Sequence, residues 1–182
     1  MKGDDQPAPE RRCLPTRAGI TLVADRYPVT VDDKPPIVLL HGGGQTRHSW
    51  DAAAELLARA GHEVWAVDQR GHGESDWAPD GDYSTRAMAD DLADVCDHVG
   101  RRPVAVGASM GGTAALAAEG LHHPGGLHAL VLVDIATRLE EQGVDRIVGF
   151  MTSAPDGFAS LEEAADSIAA YRPGRPRPTD LG

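Results

Sequence analysis

The residues Val104-Ala105-Val106-Gly107-Ala108-Ser109-Met110-Gly111-Gly112 constrain this chain more than any other stretch: an apolar run stops at a Gly-x-Ser-x-Gly turn and restarts as an Ala-rich segment. That pattern reads as buried strand, sharp turn, helix. A turn so tight crowds its own backbone. Glycine at 107 and 111 removes the Cβ atoms that would collide where strand and helix pass, and Ser109 takes the strained position at the tip. Its hydroxyl then stands clear of the backbone, at the positive end of the helix that begins at Met110. The Met110 N–H is left free to stabilise an oxyanion. The plain alternative is a Gly-rich strand-to-helix turn with an ordinary serine.

Two further motifs follow apolar runs in the same way. His41-Gly42-Gly43-Gly44 comes directly after Ile37-Val38-Leu39-Leu40, and Asp68-Gln69-Arg70-Gly71-His72-Gly73-Glu74-Ser75 directly after Val64-Trp65-Ala66-Val67. Together with the serine turn, and in this order, they resemble the α/β-hydrolase family, closely from about Arg12 to Asp134 and more loosely beyond. The resemblance implies an α/β fold, a mostly parallel sheet with helices on both faces, and Ser109 as nucleophile on an elbow built by Gly107 and Gly111. The oxyanion donors it implies are the N–H groups of Met110 and Gly43, with Gly44 as the alternative under a one-residue shift in register. Asp134 is a candidate acid, since some members place theirs after this strand; a loop-capping carboxylate is the alternative. Epoxide hydrolases and dehalogenases resemble the chain in the His-Gly loop and cap but carry aspartate at the elbow. A serine there points to an acyl-enzyme, and so to esters, thioesters, lactones or activated carbon–carbon bonds; cofactor-free haloperoxidases also carry a serine elbow.

The remaining elements follow from periodicity. Residues 1–10 are polar and expected to be disordered. Spaced apolar residues from Arg11 to Val31 suggest an antiparallel hairpin, and Asp32-Asp33-Lys34-Pro35-Pro36 a turn. Helices are expected over Trp50–Ala60, stopped by Gly61, and from a Ser84 N-cap to Gly100, with strands at Glu63–Val67, Pro103–Val106 and Leu130–Val133. The helix after the serine turn should run to Leu121. These elements make residues 11–134 the core of the fold. Residues 135–171 then carry a periodic segment, Leu139–Met151, and a helix behind the capping box Ser160-Leu161-Glu162-Glu163. They resemble a partial helical cap, and 172–182 is a Pro/Arg tail.

Acyl transfer also needs a histidine base and an acid. In the family both follow the serine, after strands that would lie beyond residue 182, so the fold is expected to be incomplete on its C-terminal side. His122, His123 and His128 do follow Ser109, but the intervening helix carries the chain about 18 Å away at about 1.5 Å per residue. His41, His48 and His72 follow strands on the Ser109 edge, and read better as loop histidines than as the base. The expected function is a serine hydrolase of ester-type small molecules with an incomplete triad; the competing one is a non-catalytic chain that keeps the pocket.

A net charge of −11 argues against nucleic acid or an anionic membrane as partner. Cys13 and Cys96 offer neither a disulfide framework nor metal-ligand spacing, and no metal or cofactor is expected. With no signal-like or membrane-length apolar run, the reading is cytoplasmic. The strand 130–133 would lack a neighbour, which invites self-association through that edge.

Overall fold

The structure is a computed structural model that describes residues 8–30, 33–135 and 141–179. It divides into two compact units, Met1–Ile135 and Ala136–Gly182.

The first unit is built on a six-stranded sheet. Its strands are β1 (Glu10–Pro15), β2 (Thr21–Tyr27), β3 (Ile37–Leu40), β4 (Val64–Asp68), β5 (Val104–Ala108) and β6 (Ala129–Val133), in spatial order β1-β2-β4-β3-β5-β6. β1 and β2 form the expected antiparallel hairpin, and β2 runs antiparallel to β4. β4, β3, β5 and β6 are parallel, as continuous apolar strands separated by helices require. Glu10 already pairs with Arg26, so the first strand begins inside the segment expected to be disordered. Residues 1–7 of that segment, and Asp32 of the expected turn, lie outside the described residues.

Helices α1 (Asp51–Arg59), α2 (Thr85–Val99) and α3 (Met110–Ala117) cross between the parallel strands. α2 starts and stops as its sequence dictates: the Ser84 hydroxyl accepts the Ala87 N–H, and Gly100 closes the helix at φ 76°. α3 is shorter than expected. Its last turn widens into a π-type turn, Ala118–His122, so regular α-helix ends at Ala117 rather than Leu121.

Strand alternation divides the apolar core between the two faces. Leu22, Ala24, Val38, Leu40, Trp65, Val67 and Ala105 pack with residues of α2 and α3 such as Leu92, Val95 and Ala115. Tyr27, Ile37, Leu39, Val64 and Ala66 pack with Ala54 and Ala58 of α1. β6 is the outermost strand on its side, and its Val131 and Val133 are 45% and 38% exposed.

The register brings Leu40 beside Gly107 and Gly107 beside Leu132, so the carboxyl ends of β3, β5 and β6 meet at one edge of the sheet. The loops that follow them, at His41, Ser109 and Asp134, therefore emerge together. That edge is where doubly wound sheets bind ligands.

In the second unit, α4 (Glu141–Met151) and α5 (Leu161–Tyr171) carry the two segments expected to be helical; residues 139–140 of the first lie outside the described residues. The Ser160 hydroxyl accepts the Glu163 N–H, and the Glu163 carboxylate reaches back to the Ala159 N–H. Phe150 and Tyr171 stack at 4.2 Å, tying the two helices together. After α5 the chain turns, and Arg177 returns to the Asp166 carboxylate.

Candidate active site

Ser109 sits at φ 45° and ψ −110°, a conformation that costs a non-glycine residue energy and persists only where its surroundings fix it. They do so here. The Ser109 N–H donates to the Val133 carbonyl at 3.1 Å, its carbonyl accepts the Thr113 N–H at 2.9 Å, and the Gly111 N–H donates to the His41 carbonyl at 3.2 Å. The turn is thus tied to β6, to its own helix and to the loop after β3.

A Cβ on Gly107 would fall 2.5 Å from Gly111 and Gly112 backbone atoms. A Cβ on Gly111 would meet Leu40 at 2.6 Å and the His41 carbonyl at 2.8 Å. Gly107 is therefore demanded by the strand-to-helix turn, but Gly111 by the neighbouring strand β3. Gly112, which the sequence pattern did not single out, is crowded as well, with the Gly107 carbonyl 2.8 Å from its Cβ position.

The glycine loop after β3 lies against the serine: a Cβ on Gly42 would be 3.6 Å from the Ser109 Cβ. Its N–H groups are unequally engaged. Gly42 donates to the Gln45 side-chain oxygen at 3.0 Å, and Gly44, at φ 72°, donates to His72 Nε2 at 3.2 Å. The N–H groups of Gly43 and Met110 have no acceptor among the described residues. Of the two register alternatives for a loop donor, Gly43 is the one whose N–H is not already used.

The histidines near this edge hold loops. His41 is fully buried; its Nδ1 donates to the Gly42 carbonyl at 2.8 Å and its Nε2 accepts the Gln69 N–H at 3.1 Å. Burial holds its pKa below the ordinary histidine value, so the ring is neutral. His72 Nδ1 donates to the Arg70 carbonyl at 3.0 Å while Nε2 takes Gly44. Both rings have spent both nitrogens, and His48 faces Asp51 on the surface. His123 pairs with Asp90, and the His128 N–H bonds the Pro103 carbonyl at the opposite end of β5, so neither reaches Ser109. Asp134 directly follows the Val133 carbonyl that holds Ser109; it is exposed, at φ 52°, with no hydrogen bond to a histidine among the described residues.

Beneath the loops lies a charged network that no spacing announced. Arg47, 5% exposed, contacts Asp25 at 2.8 Å, Asp68 at 2.5 Å and Glu74 at 2.5 Å. Burial pushes the Asp68 carboxyl upward, but the N–H groups of Glu74 and Arg47 and the Arg47 guanidinium outweigh it and hold the group below its ordinary value. Gln45 and Gln69 were likewise missed: a lone glutamine in a loop carries no pattern, and only the fold shows which N–H it meets. For a metal, the described residues offer one grouping, Asp25, His48 and Asp51, with ligand atoms within 4.8 Å of one another. Asp25 there is already taken by Arg47.

The family described as alpha/beta hydrolase fold matches residues 35–177. The chain belongs to this family. Among similar members, the protein phosphatase methylesterase 1 of Mus musculus is 31% identical over 72% of this chain and 36% of its own length. An esterase of Mycobacterium tuberculosis is 37% identical over 56% of this chain and 33% of its own. An sn-1-specific diacylglycerol lipase of Mus musculus is 38% identical over 56% and 33%. A solved hydrolase of Pseudomonas aeruginosa superposes with TM-score 0.67 at 28% identity, over 88% of this chain and 58% of that one. An alpha/beta hydrolase of Novosphingobium aromaticivorans gives TM-score 0.75 at 24% identity, over 93% and 60%. The alpha/beta-hydrolase chain thus spans about a third of the length of these curated relatives. No helix among its described residues is long and apolar enough to cross a membrane.

Proposed function

We propose that this chain carries the acyl-transfer half of a serine hydrolase site: Ser109 attacks the carbonyl of an ester-type small molecule, and the Met110 and Gly43 N–H groups receive the oxyanion. One observation carries the reading. Ser109 is held at positive φ at the start of α3 and beside the glycine loop, and the N–H groups of Met110 and Gly43 have no acceptor among the described residues, which leaves them available to a tetrahedral intermediate. The ester chemistry in the names of the methylesterase, esterase and lipase relatives fits this choice over the other acyl substrates.

Turnover by the 182-residue chain alone is expected to be slow, because His41 and His72 have no free nitrogen for Ser109. The same observation favours a second reading, a non-catalytic chain that retains the pocket. Asp134 is kept as the candidate acid on its position after β6, α4 and α5 are assigned to the family's cap segment, and the chain to the cytoplasm. The exposed edge of β6 is read as a surface for self-association.

A fluorophosphonate probe tests the proposal. Wild-type protein should label slowly and Ser109→Ala not at all, with ester turnover far below that of a complete triad, since loss of the base leaves roughly 10³–10⁴-fold catalysis over water. An unlabelled wild type refutes the nucleophile assignment; turnover typical of an esterase refutes the incomplete triad.

A further inference from the structure

We propose that His72 is a positioning residue for the oxyanion loop: by accepting the Gly44 N–H on Nε2 it fixes the loop so that the Gly43 N–H faces the site. The inference rests on the reading of Ser109 as nucleophile and adds the group that holds its oxyanion donor in place.

Three successive glycines have more backbone freedom than any other tripeptide, so a loop of this composition keeps one conformation only if its ends are tied from outside. Both ends are tied here. The Gly42 N–H donates to Gln45 Oε1 at 3.0 Å and the Gly44 N–H to His72 Nε2 at 3.2 Å, which leaves the central Gly43 N–H unengaged among the described residues. A tether works only if it is itself anchored. His72 Nδ1 donates to the Arg70 carbonyl at 3.0 Å, and the His72 N–H to the Gln69 carbonyl at 3.0 Å. The Arg70 guanidinium in turn grips the buried Asp91 carboxylate through two bonds of 2.6 and 2.7 Å. The path from α2 to the glycine loop therefore runs from Asp91 to the Arg70 side chain, and from the Arg70 carbonyl through His72 to Gly44. The tautomer is dictated as well. With the proton on Nδ1, Nε2 presents the lone pair that Gly44 needs.

The role predicts a chemical effect separate from folding. Fluorophosphonate labelling of Ser109 in the intact chain is followed over a range of probe concentrations, with thermal midpoints recorded for the same samples. His72→Phe keeps an aromatic ring but offers no acceptor; it should lower the limiting labelling rate by about tenfold or more while leaving the half-saturating concentration unchanged, as loss of aim at an oxyanion does. His72→Gln, whose Oε1 can take the Gly44 N–H, should restore most of the rate. A folded His72→Phe that labels at the wild-type rate, or a His72→Gln as slow as His72→Phe, overturns the proposal. If His72→Phe does not fold, the His72→Gln rate decides together with a second measurement. Wild-type protein labelled with ¹⁵N-glycine and ¹⁵N-histidine should show scalar coupling between Gly44 N and His72 Nε2 across the hydrogen bond, and its absence overturns the tether. Coupling in a protein whose Ser109 is inert refutes the nucleophile reading and leaves the tether standing.

Discussion

Gly107→Ala places a methyl group where the structure has no room for one. The new Cβ would lie 2.5 Å from the Gly111 carbonyl carbon and oxygen and from the Gly112 nitrogen, all backbone atoms. No side-chain rotation relieves that contact, so strand β5 and helix α3 must separate. Overpacking costs about 1–3 kcal/mol where side chains can yield, and a clash confined to backbone belongs at the upper end of that range. For a domain of this size each kcal/mol moves the melting temperature by about 2–4 °C, so a fall of roughly 5–12 °C is expected. Gly120→Ala is the control within the same unit. Its Cβ would meet nothing within 4 Å, and it lies in the helical turn after α3, where alanine is favoured over glycine by about 1 kcal/mol. Circular dichroism melts of the two variants beside wild type provide the assay. A Gly107→Ala melt within about one degree of wild type, or one no lower than Gly120→Ala, would show that the turn is not closed as described.

Acid should weaken the fold in two stages. Burial lowers the pKa of His41, so below the ordinary value of about 6.5 the unfolded chain binds a proton that the folded chain does not, and stability falls as pH drops through that interval. Asp68, held below its ordinary 3.8, acts in the same sense in a lower window, where acid protonates the unfolded carboxylate before the folded one. Melting temperatures from pH 7 downward, with the His41 ring followed by NMR, check both; a ring that titrates at the ordinary histidine value contradicts the first. At the exposed edge, Val131 and its neighbours should bind a hydrophobic dye and drive concentration-dependent association, which Val131→Lys should suppress. A wild-type chain that elutes as a monomer at every concentration without binding dye would contradict it.

The features legible in the sequence were those set by neighbours along the chain. Ser84 and Gly100 bracket α2 because a cap acts within one helical turn, and the strand-turn-helix around Ser109 follows from an apolar run meeting glycines. That β3 to β6 run parallel followed from their continuous apolar character and the helices between them; their spatial order did not. What stayed hidden depends on residues brought together only by the sheet. Gly111 is crowded by Leu40, some seventy positions earlier, and Gly44 is held by His72. The widening of α3 into a π-type turn at Ala118 breaks no compositional rule, because alanine suits either helix. Arg47 looks in sequence like any surface arginine beside a polar loop; its three acidic partners come from β2 and from the end of β4 with the turn after it, both distant in sequence.

That arginine also bears on how far the protein can be pared down. Asp25 belongs to the N-terminal hairpin, Asp68 ends β4, and Glu74 sits in the turn beyond it. A shortened design that discards the hairpin as a dispensable appendage removes Asp25, the acceptor of the Arg47 Nε–H, and leaves that donor without its partner. The antiparallel strands are therefore part of what holds the loops that follow the parallel ones.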